Sequence, residues 1–283
     1  ALVGRLIDAG IGVVAYDIST DALDAARSLG ASVASSPSDL GDSSDVILSS
    51  LPDAGDVERA YFGHRGAVLG TESGRVFLEL STIGRGPFLD LAARLDQAGH
   101  KIVDGAIIGD PLRTLDGSAT LLLGGSQQSQ DALVPVLDAL SRNVINTGEL
   151  GSAKTVKLVS NLVVTTSVAV LCEALHLGTQ GGVDLEILRE SLASGWARLP
   201  ALDGMPSLQR GPEHEHAASG GYSVDQMRGD LRAILSTAED LGVTLEVGSA
   251  VESVFAVAHD QGLGAEAMWA AFWALRRNAE RAD

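Results

Sequence analysis

The stretch "GSAKTVKLVSNLVVTTSVAVLCEALHLG", residues 151 to 178, decides how the chain is divided. It is apolar enough to be a buried helix, yet it opens with Lys154 and Lys157 and carries Asn161 one turn further on. A charged amine withdrawn from water is costly unless it is paired or shifted in pKa. Two readings stay open on these residues alone: both lysines on the wet first turn, or Lys157 as a catalytic acid/base. The most apolar part, Leu158 to Leu171, is short for a bilayer span and contains Ser160, Asn161, Thr165, Thr166 and Ser167, so the segment reads as a core helix.

Upstream of it, short apolar runs alternate with helical patterns. "GVVAYD" (12 to 17), "DVILSSLP" (45 to 52), "GRVFLELST" (74 to 82), "KIVDGAII" (101 to 108) and "ATLLLGG" (119 to 125) read as strands, with amphipathic helices at 21 to 30 and 88 to 100. Continuous Val/Ile/Leu strands between helices predict a Rossmann-type α/β domain, a doubly wound parallel sheet covered on both faces. Downstream the strand signals stop, and helices are expected over 152 to 180, 184 to 195, 222 to 241, 245 to 260 and 264 to 281, with a Gly/Pro-rich interruption near 204 to 221. The division is therefore a dinucleotide-type domain over 1 to 150 and an all-α C-terminal domain over 151 to 283.

The formal net charge of -17 argues against a nucleic-acid or anionic-membrane surface, which would be repelled by the whole molecule, and points to a small-molecule site. One cysteine, Cys172, excludes an internal disulfide framework and a cysteine-rich metal site, and suits a reducing cytoplasm. No metal is expected: "EHEH" at Glu213 to His216 alternates within a Gly/Pro/Ser-rich stretch and reads as a solvated loop.

Ligands of open α/β sheets sit beyond the carboxyl ends of the strands. The candidates there are Asp17, Leu51-Pro52, Ser81-Thr82 and Asp104 to Asp110. An acid at Asp17 suits the ribose hydroxyls of an adenine dinucleotide, although such aspartates also cap helices. A G-x-G-x-x-G turn is not found; "ALVGRLIDAG" reads as the helix that follows one, which places the first strand and the glycine turn before Ala1 and leaves a sheet edge unfilled.

The segments "LP" (51 to 52), "ELSTI" (79 to 83), "DGSATLLLGG" (116 to 125), "RNVINTGELGSAKTVKLVSN" (142 to 161) and "MRGDL" (227 to 231) together resemble the β-hydroxyacid dehydrogenases, the family of 3-hydroxyisobutyrate dehydrogenase and the 6-phosphogluconate-dehydrogenase-like enzymes. The spaced block Gly148, Gly151, Lys157 and Asn161 is the most specific part. The resemblance implies hydride transfer between NAD, or NADP, and the hydroxyl carbon of a small substrate, with Lys157 as general acid/base and Asn161 holding substrate. It also implies that Leu51, Pro52 and Asp56 line the adenosine part of the cofactor, that Thr82 lies near nicotinamide, that Asp17 favours NAD, and that the helical domain builds a homodimer.

Two departures bear on the substrate. The family's D-A-P-V-S-G-G loop is here Asp104-Gly105-Ala106-Ile107-Ile108-Gly109-Asp110, so a serine has become Ile108 and a glycine Asp110. The family's K-D-L is Gly229-Asp230-Leu231, which removes a cation that Arg228 or Lys154 is expected to replace if an acid is still bound. Ile108, Gly109, Asp110 and Asp230 are thus the candidate substrate residues, with Trp196 and Tyr222 as aromatics that either line the site or pack. The "DGAIIGDP" loop also resembles imine reductases, though these usually lack the lysine kept here. The alternatives are a reductase of imines or uncharged carbonyls and a non-catalytic binder of a dinucleotide or metabolite.

Overall fold

The computed structural model describes residues 1–70, 72–205 and 222–282, which form two compact units, Ala1–Leu158 and Val159–Asp283. In the first unit α1 (Leu2–Asp8), β1 (Val14–Ala15), α2 (Thr20–Ser28), β2 (Ser32–Val33), α3 (Pro37–Asp42), β3 (Val46–Ser49), α4 (Ala54–Phe62), α5 (Ala67–Gly70) and β4 (Val76–Glu79) come first. They are followed by α6 (Arg85–Gln97), β5 (Lys101–Ile108), α7 (Pro111–Asp116), β6 (Thr120–Gly124), α8 (Gln127–Asp131), α9 (Val134–Leu140) and β7 (Asn143–Gly148). Strands β3 to β7 make one sheet in chain order, while β1 and β2 pair separately and in parallel.

Residues that follow one another in a strand point to opposite faces, and both faces of this sheet are covered. Ile47, Phe77 and Ile102 join Phe88, Leu91 and Tyr61 on one side. Leu78 and Val103 join Leu121, Leu123 and Leu137 on the other. That is the doubly wound arrangement read from the sequence, with one correction. β5 and β6 run antiparallel, Asp104 opposite Gly124 and Ile108 opposite Thr120. The chain between them holds only the short α7 and a left-handed turn at Gly117, too little for the crossover that a parallel return needs. The sequence reading also passed over β2 and β7. The β7 residues "NVINTG" are mostly exposed, so they carry no apolar run to read.

The helix α10 (Ser152–Gln180) leads into the second unit, where α11 (Leu185–Ala193), α12 (Val224–Asp240), α13 (Glu246–Ala258) and α14 (Ala270–Ala282) follow. A π-helical turn over His259–Leu263, with Gly262 at φ 81°, follows α13, and the last helix begins later than expected because residues 264–269 form turns and a bridge from Ala267 to Ser223. Its core combines Val168, Cys172 and Leu175 of α10 with Met227, Leu231 and Ile234 of α12, Phe255 of α13 and Phe272 of α14, all buried. By length and composition alone α10, with 29 residues and a hydropathy of 1.8 over its best window, is long and apolar enough to cross a membrane, more so than Leu158 to Leu171 suggested. Its buried line includes Asn161 and Thr165, both hydrogen-bonded within the protein, which is the pattern of a core helix.

Burial pushes the Cys172 thiol up to about 12, with the Glu173 charge adding to the shift and a hydrogen bond from the Phe272 backbone opposing it. In the unfolded chain this thiol ionises near its ordinary value of 9.0, so stability is lost as pH rises from there to the folded value. The loss amounts to about 1.4 kcal/mol per pH unit. Urea melts of the protein and of Cys172→Ala between pH 8 and 10.5 should therefore converge as pH rises; parallel stability curves would show that the thiol is not sequestered.

Candidate active site

Lys154 is fully buried, as are Glu79 at the end of β4 and Asp104 in β5. Its three N–H groups are taken up by backbone carbonyls: those of Glu79 at 3.0 Å, Ser81 at 3.0 Å and Gly105 at 2.7 Å. Glu79 Oε2 lies 2.6 Å from the same nitrogen and Asp104 Oδ1 lies 3.7 Å away, contacts that are electrostatic because the donors are already used. Two carboxylates against one ammonium leave an excess of negative charge, and the first turn of α10 offsets it. Asp104 Oδ2 accepts from the backbone N–H of Ala153 at 2.9 Å and of Lys154 at 3.3 Å, the positive end of the helix. Burial still raises the Asp104 pKa, opposed by Lys154 and these amides.

The network extends along the strand ends. Glu79 Oε1 accepts from the Ser81 N–H at 2.8 Å and from the Ser49 hydroxyl at 3.3 Å, and Ser49 meets the buried Tyr61 hydroxyl at 2.7 Å. Burial, then the Glu79 charge, holds the Tyr61 phenol well above its usual range. Ser81 Oγ in turn accepts the Leu51 N–H at 2.8 Å, so the carboxyl ends of β3 and β4 and the middle of β5 are tied to one cation. A Cβ on Gly124 would stand 2.7 Å from Ser152 Oγ and 2.8 Å from the Glu149 carbonyl, so only glycine lets β6 end this close to the start of α10. Lys154 is thus neither on a wet turn nor available to a substrate, which corrects both expectations for it.

The other candidates of the first unit follow β1, β3 and β4 in the chain. Asp17 is exposed, and its Oδ1 accepts the Ser19 N–H at 2.8 Å, leaving Oδ2 for a ribose hydroxyl. Leu51 and Thr82 are half-buried, Pro52 is exposed, and Asp56 pairs with Arg59 at the start of α4. Beside this turn a cavity of about 350 Å³ opens between α4 and α6, lined by Ala54, Gly55, Ile83, Pro87, Leu91 and Arg94. An acid after β1 is able to accept ribose hydroxyls, and the groove between α4 and α6 has room for part of a small ligand. The cavity had no signal in the sequence.

In the candidate substrate loop Ile108 packs against Ala106, Leu122 and Ala153. Gly109 adopts φ 141°, with Ala119 Cβ only 3.1 Å from where its own Cβ would be, so it holds the loop's bend. Asp110 is exposed and caps α7, accepting the Arg113 N–H at 2.8 Å.

Lys157 is half-buried on α10, one turn before Asn161, so the two share a helix face. In the second unit Asn161 and Asp230 are both buried, and Asp230 Oδ2 accepts from Asn161 Nδ2 and from the Tyr222 hydroxyl, each at 2.5 Å. Arg228 is engaged by Glu252 through two nitrogens at 2.9 and 3.1 Å, so it does not stand in for the absent lysine. At Gly229 a Cβ would meet nothing within 4 Å. Trp196 is fully exposed, so it does not pack. Among the described residues no group of His, Cys, Asp or Glu could hold a metal, and Glu213 to His216 lie outside them. Sequence reading missed the partners of Lys154, although acids inside the apolar runs "FLELST" and "KIVDGAII" signal a buried cation.

Two family models match the chain: the NAD binding domain of 6-phosphogluconate dehydrogenase over residues 1–148, and the NAD-binding domain of NADP-dependent 3-hydroxyisobutyrate dehydrogenase over 151–274. The chain is 27% identical over 265 residues to 2-(hydroxymethyl)glutarate dehydrogenase of Eubacterium barkeri, covering 93% of this chain and 87% of that one. In fold it is similar to 3-hydroxyisobutyrate dehydrogenase from Salmonella typhimurium, at 23% identity and a TM-score of 0.82, covering 96% and 94% of the two chains. It is also similar in fold to an imine reductase from Myxococcus stipitatus in complex with NADP+, at 18% identity and a TM-score of 0.65, covering 97% and 95%.

Removing one partner of a buried ion pair strands the other charge. Lys154→Met should destabilise the protein by about 3 to 5 kcal/mol, and adding Glu79→Gln should restore part of that loss. Denaturant melts of both variants measure it; a Lys154→Met protein as stable as the parent would show that the ammonium does not hold these strand ends.

Proposed function

The chain belongs to the β-hydroxyacid dehydrogenase family, and from that premise we propose that Lys157 is the general acid/base of its reaction. The chain is an NAD(P)-dependent oxidoreductase acting on CH–OH groups. Bound at the strand ends, NAD(P) supplies the hydride acceptor or donor. In this reading Asp17 holds the ribose, Leu51, Pro52 and Asp56 flank the adenosine part, and Thr82 stands by the nicotinamide. Lys157 Nζ takes the hydroxyl proton in oxidation and returns it in reduction, while Asn161 on the same helix face orients the substrate. What carries this reading is the position of Lys157, three residues beyond a lysine locked into the strand ends and four before an asparagine locked to Asp230.

The engagement of both other candidate cations, Lys154 and Arg228, favours a substrate other than a small 3-hydroxy acid held by its carboxylate. An imine or uncharged-carbonyl reductase is the second reading on this ground. The third, a non-catalytic binder, predicts cofactor binding with no turnover of any semialdehyde, ketone or imine. We further propose a homodimer in the cytoplasm. Val159, Val163, Val170 and Leu177 form an exposed apolar stripe on α10, at spacings that keep one face, and a second copy would cover it.

Lys157→Met should lower kcat about a hundredfold or more with little change in cofactor affinity, and retained turnover would sink the assignment. Because Asp17 would meet a 2′-phosphate with like charge, kcat/KM should favour NAD over NADP by about 1 to 3 kcal/mol, roughly 5- to 150-fold. A clear NADP preference would place Asp17 elsewhere. Light scattering should give twice the chain mass of 29.2 kDa, and a monomer's mass would refute the dimer.

A further inference from the structure

Ser81 is buried, and its nitrogen and both its oxygens are engaged. Its N–H donates to Glu79 Oε1 at 2.8 Å, its Oγ accepts the Leu51 N–H at 2.8 Å, and its carbonyl accepts from Lys154 Nζ at 3.0 Å. The third bond has a consequence for the next residue. The Ser81–Thr82 peptide is planar and trans, so its C=O and its N–H point in opposite directions. With the carbonyl drawn to the buried ammonium, the Thr82 N–H is turned away from it. That N–H makes no hydrogen bond among the described residues, and Thr82 is only half-buried. A peptide donor left open in this way is satisfied by water or by a ligand.

We infer that Lys154 is a positioning residue for the cofactor: by fixing the Ser81 carbonyl it aims the Thr82 N–H as a preset donor for the carboxamide oxygen of the nicotinamide. The inference rests on the reading that places Thr82 beside the nicotinamide. A peptide in a loop can ordinarily flip and offer its carbonyl where its N–H had been. Here a flip would strip the ammonium of one of its three acceptors and leave a buried N–H of Lys154 unmatched. The carboxamide oxygen is the acceptor that the nicotinamide carries, so it is the group such a donor selects. The buried cluster thereby gains a task beyond stability, since apolar packing would close the strand ends without choosing which way a peptide faces.

Calorimetry on the full chain compares NADH with ADP-ribose, which lacks the nicotinamide. Because Lys154→Met strands the buried acids, it is combined with Glu79→Gln, whose amide oxygen can still accept the Ser81 N–H. The double variant should bind NADH about tenfold more weakly than the parent does. ADP-ribose should lose less than about threefold, because the Leu51 N–H keeps its bond to Ser81 Oγ. Glu79→Gln alone leaves the ammonium on its three carbonyls and should hold both affinities within about twofold. Leu137→Ala, in the core on the other side of the sheet, controls for lost stability and should also bind NADH within about twofold of the parent. A second measurement needs no variant: the thionicotinamide analogue of NADH, whose sulfur is a weak acceptor, should bind the parent about fivefold more weakly than NADH. Unchanged NADH affinity in the double variant, an equal loss for both ligands, an equal loss in Leu137→Ala, or equal binding of the thio analogue would each overturn the inference. Failure of the parent to bind NADH would instead defeat the cofactor reading on which it rests.

Discussion

The ammonium of Lys154 is the constraint on which the first unit turns. With no water to solvate it, its three N–H groups must find acceptors, and they find the carbonyls of Glu79, Ser81 and Gly105, where β4 ends and β5 passes. Glu79 and Asp104 supply the compensating charge, and Asp104 also receives the first amides of α10. One side chain therefore ties the first turn of α10 to the sheet of the first unit. Backbone carbonyls cannot be mutated away, so two of the three acceptors persist whatever side chains stand at positions 81 and 105.

A buried ion cluster is an expensive way to hold a joint, and well-packed apolar residues would often be as stable. What it provides instead is direction. An apolar contact tolerates a slide of an ångström or so, but three hydrogen bonds to three carbonyls do not, and acid/base chemistry depends on distances of that order. The same trade recurs in the second unit, where Asp230 accepts Asn161 and Tyr222 in place of an apolar contact. Polar anchors stand where geometry matters, while the apolar packing of Phe77, Phe88 and Leu95 fills the space where it does not.

The sequence made the doubly wound sheet legible because its central strands are buried on both faces and so are apolar throughout. β5 was read to the residue, 101 to 108, from such a run. What it did not disclose were elements without that signal. The residues of β7 are exposed, and β2 is two residues long. The antiparallel turn between β5 and β6 depends on the length of a connection, not on any strand's composition. At the site, the helical spacing of Lys157 and Asn161 was plain, but which lysine is buried was not, since residues at 154 and 157 both fall near the apolar side of the helix. The acids that settle it, Glu79 and Asp104, are distant in sequence and announce themselves only as misfits in apolar strands.

That ambiguity resolves through helix geometry. At about 100° per residue, Lys154 and Asn161 lie within about 20° of each other on α10, two turns apart, and Lys157 falls between them in height but about 60° to one side of Lys154. The first and last of these are buried and committed, Lys154 to strand carbonyls and Asn161 to Asp230. Lys157 is only half-buried. Here the turn before it and the turn after it are each tied down by a polar group that cannot shift without losing its partner. The base of Lys157 is thus held between two fixed turns of one helix, which is the rigidity that the proton transfer proposed for it requires.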